Sequence, residues 1–403
     1  MRRKFRRSDA RLALLVGVAV VSGAPSGLRA ADLLVVDRLS NSVFRYSATG
    51  ALLGTVVDHS ADLNQPTGIG ISPNFKELYV SSSQNNRVMK YEYDRASGVA
   101  SNPTIFADAS DGLEFPNDIQ LSPDGSQVYV ANLSGGVSRF NLDGSSAGSK
   151  LALPTSIEQV PTPTSSLNFT SAGELLAGAF QDASGAGGGV AISNSAVSAF
   201  PGYLVDPMSA INGATGLMIH DGYLYVSGLF SFNIRRFALS DGEIDASWGI
   251  TGVAFPQDLV AAPDGNGFLA GILGFANGSG NISRYAYNGT FLSTFASPSQ
   301  NGFTEATAFV VVPTLLVGDF NGNGIVDAAD YVAWRDAAPT DTLPNDDTPG
   351  VVDASDYEDW RANFGETNAV GSAAVGAVSV PEPAGAVLLV VGLVMSGWLS
   401  LRG

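Results

Sequence analysis

Short apolar stretches alternate with polar residues along most of the chain, and the same arrangement returns after 42 to 50 residues. Each copy contains an apolar stretch, a turn rich in Ser, Pro, Asp and Gly, a second apolar stretch, and a third stretch of aromatic and basic residues. Apolar positions with a period of two, bounded by turn residues, predict β-strands. The first apolar residues of the successive copies are Ile69, Ile119, Leu167, Leu217, Leu259 and Phe309.

These six repeats predict an all-β fold, a six-bladed β-propeller. One unit cannot bury both faces of its sheet alone, so the units must pack against one another. A stacked solenoid would satisfy the same period, but the two ends favour a ring. Residues 32–50 lack the first strand of the repeat, and residues 305–313 supply such a strand. Pairing of 305–313 with 32–37 would close the ring and protect the sheet edges.

Three motifs of the first complete repeat carry a family resemblance. Residues 66–69 (PTGI), 78–80 (LYV) and 86–88 (NRV) resemble blades of NHL-repeat and gluconolactonase/senescence-marker propellers, and the resemblance extends over roughly residues 32–314. It implies a metal ion held across the central channel by Glu, Asn and Asp side chains. The chain departs from that pattern, because Thr67 stands where the family often has Asn and no Glu of a first strand precedes the ring; the nearest Glu, Glu114, is expected in a loop. The architecture hosts enzymes and binding modules alike.

Polar residues near the start of the predicted innermost strands are the candidate site of the propeller. Asp118 and Asp258 lie three blades apart, and opposed carboxylates with nearby amides could hold a hard cation that polarises a lactone carbonyl. Asn117, Asp118 and Asp258 are the catalytic candidates. The alternative is that this ring only solvates a water-filled channel. The ring positions are Thr67, Asn117, Ser165, Thr215, Gln257 and Thr307, followed by Gly68, Asp118, Ser166, Gly216, Asp258 and Ala308.

Residues 319–330 (DFNGNGIVDAAD) have the spacing of a calcium loop. Oxygen-bearing side chains at alternate positions can surround one hard cation, the seventh residue offers its carbonyl, and Gly324 permits the bend. The predicted Ca²⁺ ligands are Asp319, Asn321, Asn323, Ile325, Asp327 and Asp330.

A second copy follows at residues 345–365, where Pro349 supplies no side-chain oxygen and predicts weaker binding. Its predicted ligands are Asn345, Asp347, Val351, Asp353 and Asp356. The two loops, each followed by an Asp-Tyr-x-x-Trp-Arg helix (330–335 and 356–361), resemble a type I dockerin. That resemblance implies a cohesin-like partner. A calcium-stiffened spacer is the alternative.

Both ends of the chain resemble targeting signals. Residues 1–30 have the cationic, apolar and small-residue segments of a secretory signal peptide. Residues 380–403 resemble a PEP-CTERM sorting signal, in which Pro381-Glu382-Pro383 precedes an apolar stretch long enough to cross a membrane. That resemblance implies an exosortase-type partner. We therefore expect export to the cell surface, outer envelope or extracellular space, with a transient or permanent C-terminal membrane anchor.

Composition narrows the function further. The formal net charge of −17 makes nucleic acid an unfavourable partner, and the absence of Cys excludes thiolate chemistry. Of the two His of the chain, His220 is predicted to be structural, at a turn position of the repeat, and His59 is predicted to be solvated on the surface. The expected order is signal peptide (1–30), propeller (31–315), dockerin-like module (316–366), linker (367–379) and sorting signal (380–403). The sequence favours an exported binding or scaffold protein, for example for extracellular polysaccharide or matrix. A metal-dependent lactonase- or lyase-like enzyme is the alternative.

Overall fold

The structure is a computed structural model of the 403-residue chain. It describes residues 31–59, 63–95, 97–154, 163–180, 188–207, 210–274, 280–301, 303–313, 316–346 and 351–367. The predicted signal peptide (1–30), the predicted sorting signal (380–403) and the linker beyond Thr367 lie outside these residues, as does the predicted ligand Asp347. No helix among the described residues is both long enough and apolar enough to span a membrane.

The described chain divides into two compact units, and the second begins at Leu316. The first unit contains six antiparallel sheets, which confirms the predicted six-bladed propeller. Blade 1 contains β4 (Pro66–Ile71), β5 (Glu77–Ser82), β6 (Arg87–Asp94) and β7 (Val99–Ala107). Blade 2 contains β8 (Pro116–Leu121), β9 (Gln127–Asn132) and β10 (Val137–Asn141). Blade 3 contains β11 (Thr164–Phe169), β12 (Leu175–Ala179), β13 (Val190–Ile192) and β14 (Gly202–Val205).

The remaining blades follow the same order of strands, with the innermost strand first. Blade 4 contains β15 (Ala214–His220), β16 (Tyr223–Gly228), β17 (Asn233–Ala238) and β18 (Ile250–Thr251). Blade 5 contains β19 (Pro256–Ala261), β20 (Phe268–Ile272), β21 (Asn281–Tyr285) and β22 (Phe291–Ala296). Blade 6 contains β23 (Ala306–Pro313), β1 (Ala31–Asp37), β2 (Ser42–Tyr46) and β3 (Leu52–Val57). Two 3-10 turns (Ser83–Asn85 and Ala109–Asp111) and the short helix α1 (Pro298–Asn301) lie between strands.

Blade 6 is built from both ends of the propeller segment, as the sequence predicts. β23 pairs antiparallel with β1, with Val35 opposite Phe309 and Leu33 opposite Val311. Each innermost strand contacts the innermost strand of the next blade, and β23 contacts β4. The ring is therefore closed, and the pairing of β23 with β1 leaves no gap between the first and last blades.

The second strand of each blade is buried on both faces by the neighbouring blades. Leu78, Tyr79 and Val80 of β5 are fully buried, which explains why this strand is a continuous apolar run instead of an alternating one. Aromatic rings fill the space between blades 1 and 2: Tyr79 meets Phe106 edge to face at 5.0 Å, and Phe106 meets Phe140 at 5.8 Å. This packing fixes each innermost strand beside the channel.

The second unit contains two helices, α2 (Ala328–Asp336) and α3 (Ala354–Asn363). Each helix begins with a reciprocal capping box, in which the N-cap carboxylate and the N3 carboxylate each accept a backbone N–H. The N-cap and N3 residues are Asp327 and Asp330 in α2 and Asp353 and Asp356 in α3. The predicted calcium-loop residues therefore also start the helices.

Candidate functional site

All six innermost strands carry a one-residue β-bulge at the same point. In β8, for example, Pro116 pairs with Asn132 and Ile119 pairs with Val130, so Asn117 and Asp118 face one residue of β9. The same shift occurs in β4, β11, β15, β19 and β23. A bulge breaks the strict alternation of side chains and redirects them. The predicted ring residues occupy these bulges, so the structure brings them together around the channel.

Five of the six first bulge residues tie their blade to the next one. Each donates a side-chain hydrogen bond to a backbone carbonyl at the start of the neighbouring innermost strand. The bonds run from Thr67 to Pro116 (3.1 Å), Asn117 to Ser165 (2.6 Å), Ser165 to Ala214 (2.6 Å), Thr215 to Pro256 (2.8 Å) and Thr307 to Pro66 (3.4 Å). The exception is Gln257, whose side chain makes no hydrogen bond to another described residue. Most of this predicted channel lining therefore holds the ring together.

Asp118 and Asp258 also join neighbouring blades, but as acceptors. One oxygen of Asp118 accepts the N–H of Ile119 and the other accepts the N–H of Leu167 in the next blade, both at 2.7 Å. Asp258 does the same with Leu259 and Phe309, both at 2.8 Å. A carboxylate has about four lone-pair sites. Each of these side chains can therefore keep its two backbone bonds and still offer an oxygen to a cation in the channel.

The electrostatics of this pair call for a compensating positive charge. Burial raises the pKa of Asp118 above its usual range, although backbone N–H groups oppose the shift. Burial also raises the pKa of Asp258, and the negative charge of Asp118 adds to the effect. Asp118 and Asp258 are partly exposed to the channel, and two like charges that act on each other there are costly unless a proton or a cation is shared between them. The pair is thus suited to bind one or the other.

The ring has an approximate three-blade repeat. Residues 115–118 (FPND) and 255–258 (FPQD) occupy opposite blades, and Gly68 and Gly216 occupy the blades just before them. A Cβ on Gly68 would lie 2.4 Å from the carbonyl oxygen of Asn117, and one on Gly216 would lie 2.4 Å from that of Gln257. Each Asp therefore sits against a neighbour that must lack a side chain. The repeat is visible in the sequence and could have shown that the two halves of the ring are equivalent.

We expect Gly68→Ala and Gly216→Ala to lower the free energy of unfolding by about 1–3 kcal/mol each, because the added methyl group must push two blades apart. Urea denaturation would measure the change. Gly202→Ala is the matched control, because no atom lies within 4 Å of the Cβ that it would add. Equal stability of all three variants would contradict the close approach of the blades.

Asn117 and Gln257 are the amides that accompany the two carboxylates. The side-chain N–H₂ group of Asn117 donates to the backbone carbonyl of Ser165. The side-chain carbonyl oxygen of Asn117 accepts no hydrogen bond from the described residues. Within the described part of the chain, no three His, Asp or Glu side chains converge closely enough to hold a metal by themselves. A cation in the channel would take two carboxylate oxygens and complete its shell with amide oxygens and water. Oxygen ligands of this kind suit Ca²⁺ or Mg²⁺.

Aromatic side chains lie beside the polar ring. Phe115 and Phe232 are each 41% exposed, and Phe232 meets Phe255 edge to face at 4.9 Å. Phe115, Phe232 and Phe255 all have φ near +50°, which is rare for a bulky residue. These aromatic side chains offer apolar surface on which a ligand at the ring could pack.

The two His do not join this ring. The His220 ring stacks on Tyr287 of the next blade at 3.5 Å, and burial lowers its pKa. His59 is exposed and contacts Asp58. Glu114, which precedes the FPND segment, lies exposed in the loop before β8. The channel chemistry therefore rests on Asn117, Asp118, Gln257 and Asp258.

The first calcium-like loop of the second unit has its carboxylates turned inward. The two oxygens of Asp319 accept the N–H groups of Asn323 (3.0 Å) and Gly324 (2.9 Å). Those of Asp330 accept the N–H groups of Asn321 (2.9 Å) and Asp327 (2.8 Å). Asp319 and Asp330 are buried, and burial together with the charge of Asp330 raises the pKa of Asp319. The donor set fits a hard divalent cation.

The two loop–helix segments are related by reciprocal contacts. Trp334 of α2 donates to the carbonyl of Asp353 in the second loop (2.9 Å), and Trp360 of α3 donates to that of Asp327 in the first (2.7 Å). Backbone N–H groups repeat the exchange, from Val326 to Glu366 and from Val352 to Pro339, both at 2.9 Å. Each loop is therefore braced by the helix of the other.

Comparison with known proteins gives one family match. The family described as SMP-30/Gluconolactonase/LRE-like region matches residues 32–164, a segment that contains Asn117 and Asp118 and ends before Asp258. No curated protein matches the chain.

Solved structures show the same fold at low identity. A chain from the crystal structure of a nidogen/laminin complex has a TM-score of 0.52 and 12% identity, covering 70% of this chain and 98% of that one. A protein of unknown function from Bacteroides caccae also has a TM-score of 0.52, with 14% identity and coverage of 70% and 98%. The periplasmic gluconolactonase of Pseudomonas aeruginosa has a TM-score of 0.49, with 15% identity and coverage of 71% and 99%. These likenesses concern the fold alone.

Proposed function

We propose that the propeller is a divalent-cation-dependent hydrolase of the lactonase class that acts at the central channel. The observation that carries this proposal is the pair of carboxylates, Asp118 and Asp258, held on opposite bulges with the amides of Asn117 and Gln257. The family match over residues 32–164 supports the same chemistry. This was the alternative function from the sequence, and it now has more support than a purely binding propeller.

Lactone hydrolysis needs a polarised carbonyl, an attacking water and a proton acceptor. Water adds to the carbonyl carbon, the ring C–O bond breaks, and the proton passes to the leaving oxygen. A cation held by the two carboxylates would polarise the carbonyl. A carboxylate oxygen that the cation leaves free could accept the proton from water and return it to the ring oxygen. The backbone bonds to Leu167 and Phe309 fix the orientation of Asp118 and Asp258.

We expect the purified chain to hydrolyse members of a panel of five- and six-membered lactones only when a divalent cation is present. Asp258→Asn should lower kcat/KM by about 100-fold or more, because it removes one of two charges that hold the cation. Gln257→Ala should raise the cation concentration needed for activity without loosening the ring, since this side chain makes no hydrogen bond to another described residue. A pH-stat titration with each metal would measure both effects.

Asp221→Asn is the matched control, because Asp221 lies exposed in the turn between β15 and β16. It should hydrolyse lactones as the unchanged protein does. Hydrolysis that survives a chelator undiminished would contradict the proposal. If the chain binds a cation but opens no lactone, the propeller is a binding module, which was the first interpretation of the sequence.

A second function is favoured by the reciprocal contacts of α2 and α3: we propose that residues 316–367 bind Ca²⁺. The inward carboxylates of Asp319 and Asp330 support the first site. A cohesin-like partner, an exosortase-type enzyme, a polysaccharide or matrix ligand, export and a membrane anchor stay predictions from the sequence.

A further inference from the structure

Phenylalanine side chains lie beside the polar ring in four neighbouring blades. Phe115 and Phe255 directly precede the first residues of β8 and β19. The other three follow a second strand, whose last residue pairs with the start of the innermost strand in blades 3 and 4. This aromatic arc consists of Phe115 (blade 2), Phe180 (blade 3), Phe230 and Phe232 (blade 4) and Phe255 (blade 5). All five residues therefore lie at the end of the channel where the innermost strands begin.

Contacts within the arc hold its rings against the innermost strands. A Cβ on Gly213, the residue just before β15, would lie 3.2 Å from the ring of Phe230. Phe180 meets Phe230 edge to face at 5.4 Å, and the backbone N–H of Phe180 donates to the carbonyl of Pro163, just before β11, at 2.8 Å. Aromatic pairs of this geometry are favourable beyond the area that they bury. The arc is therefore a packed surface and not a set of separate side chains.

The arc spans the interval between the two carboxylates of the channel. Asp118 lies in blade 2 and Asp258 in blade 5, and the two blades between them carry Phe180, Phe230 and Phe232. Phe230 is 37% exposed and Phe232 is 41% exposed. A carbonyl bound between the carboxylates would therefore have aromatic surface along one side of the channel.

Blades 1 and 6, on the other side, differ at the same positions. Gln65 and Glu305 stand two residues before the ring there, where blades 2 and 5 have phenylalanine. Glu305 is buried and forms a salt bridge with Arg38. Leu39 is exposed near this end of blade 6, so the contrast concerns aromatic side chains and not all apolar ones. This end of the channel is thus asymmetric, and an elongated substrate would have a preferred orientation in it.

The polar ring retains few groups with which to recognise a sugar. Recognition of a polyhydroxylated substituent needs free donors and acceptors that converge on it. Five of the six first ring residues already donate their side chains to the next blade, namely Thr67, Asn117, Ser165, Thr215 and Thr307. The formal net charge of −17 also disfavours a substituent with a phosphate or carboxylate group. An uncharged, apolar substituent fits these conditions best.

We propose that the aromatic arc binds an apolar substituent of the substrate, so that the channel prefers uncharged lactones with an alkyl chain to sugar lactones. The inference rests on the proposed lactonase function and adds the substrate class to it. An alkyl chain that lies on the arc leaves water, and each CH₂ group that does so strengthens binding by up to about fourfold. The chain extends over blades 3 and 4 while the lactone carbonyl stays between Asp118 and Asp258.

A series of γ-lactones whose substituent lengthens from hydrogen to hexyl would test the inference, with glucono-δ-lactone as the sugar lactone and a divalent cation present. For the full chain, kcat/KM should rise by about two- to fourfold with each CH₂ group and should be lowest for glucono-δ-lactone. Phe230→Ala and Phe232→Ala should each lower the ratio of kcat/KM for the hexyl lactone to that for the unsubstituted lactone by about tenfold. Phe230→Leu, which retains apolar surface, should lower this ratio less.

Phe291→Ala is the matched control, because Phe291 is a phenylalanine that is 55% exposed on β22, the outermost strand of blade 5. It should keep the ratio of the unchanged protein. A ratio that does not depend on chain length, or a preference for glucono-δ-lactone, would overturn the substrate class and leave the lactonase proposal standing. An equal loss in Phe230→Ala and Phe291→Ala would also overturn it.

Calorimetry with cyclopentanones separates the failure of this inference from that of the proposed function, because these ketones have no ester bond to break. If the chain opens no lactone, the proposed function falls. Tighter binding of a hexyl-substituted cyclopentanone than of cyclopentanone, weakened by Phe230→Ala and not by Phe291→Ala, would still support an apolar ligand on the arc. Equal binding of the two ketones would overturn the inference.

Discussion

Replacing Asp37 by alanine will lower the free energy of unfolding of the propeller by about 3–5 kcal/mol, the range for removing one partner of a buried charged network. Asp37 is fully buried at the end of β1. Its two oxygens accept the backbone N–H of Thr304 (2.7 Å), the hydroxyl of Thr304 (2.7 Å) and the backbone N–H of Glu305 (2.9 Å). Alanine would leave these three donors without their acceptor at the start of β23.

The expected loss is large because Asp37 joins the two ends of the ring. The next residue, Arg38, forms a salt bridge with the buried Glu305 at 2.6 Å, so the same few residues carry most of the polar contacts of closure. Without them the closure depends on the backbone ladder between β23 and β1 and on its apolar side chains, and an open ring would expose a sheet edge.

Urea denaturation in calcium-saturated buffer, extrapolated linearly to water, would measure the change. Asp143→Ala is the matched control, because Asp143 accepts two hydrogen bonds from Ser145 in an exposed turn. It should cost about 1 kcal/mol or less. Similar losses for both variants would show that closure does not depend on Asp37.

The ring closure was predictable because it follows from the order of strands along the chain. The repeats place an apolar residue such as Ile69 or Phe309 at a regular interval, and segment 32–50 lacks a strand that 305–313 supplies. Neither inference requires knowledge of side-chain contacts. The continuous apolar runs such as 78–80 likewise indicate strands buried on both faces.

The roles of the ring residues could not be predicted in the same way. A Thr such as Thr215 can face water or donate to the next blade, and its position in the repeat is the same in both cases. The bulges decide between these roles, and in such short strands one extra residue cannot be distinguished from an ordinary polar position by the sequence pattern. The sequence therefore located Asp118 and Asp258 but did not reveal that they bond to Leu167 and Phe309.

In the second unit, too, the sequence located candidate residues but did not predict all of their contacts. Loop spacing identified Asp319 and Asp330, whose side chains the structure turns inward. Spacing also assigned Asn345 to its own loop, whereas the contact with Asp319 depends on how the two loops pack. A contact between the two loops cannot be predicted from the residue spacing within either loop alone.

Removal of calcium is expected to unfold residues 316–367 and to leave the propeller folded. Without a cation, the buried carboxylate of Asp319 would be repelled by Asp330 in the first loop, and that of Asp356 by Asp346 and Asp353 in the second. The described part of this unit has few fully buried apolar side chains, chiefly Leu316, Phe320 and Val326. A core of this size cannot offset the repulsion, so the proposed calcium binding would supply most of the folding free energy of this unit. At free calcium a thousand times the Kd, each site contributes about 4 kcal/mol.

A chelator titration would measure the unfolding of residues 316–367 separately from that of the propeller, with near-ultraviolet circular dichroism and trypsin digestion as the two readouts. The signal of Trp334 and Trp360 should vanish, and cleavage should begin at Arg335 and Arg361, while the β-sheet transition remains. The same titration of the Asp258→Asn variant is the control for a cation in the channel, because this variant should no longer hold one there. Because each loop is braced by the helix of the other, the two helices should be lost in one step. A single transition shared by the helices and the propeller would instead show that the two units do not fold independently.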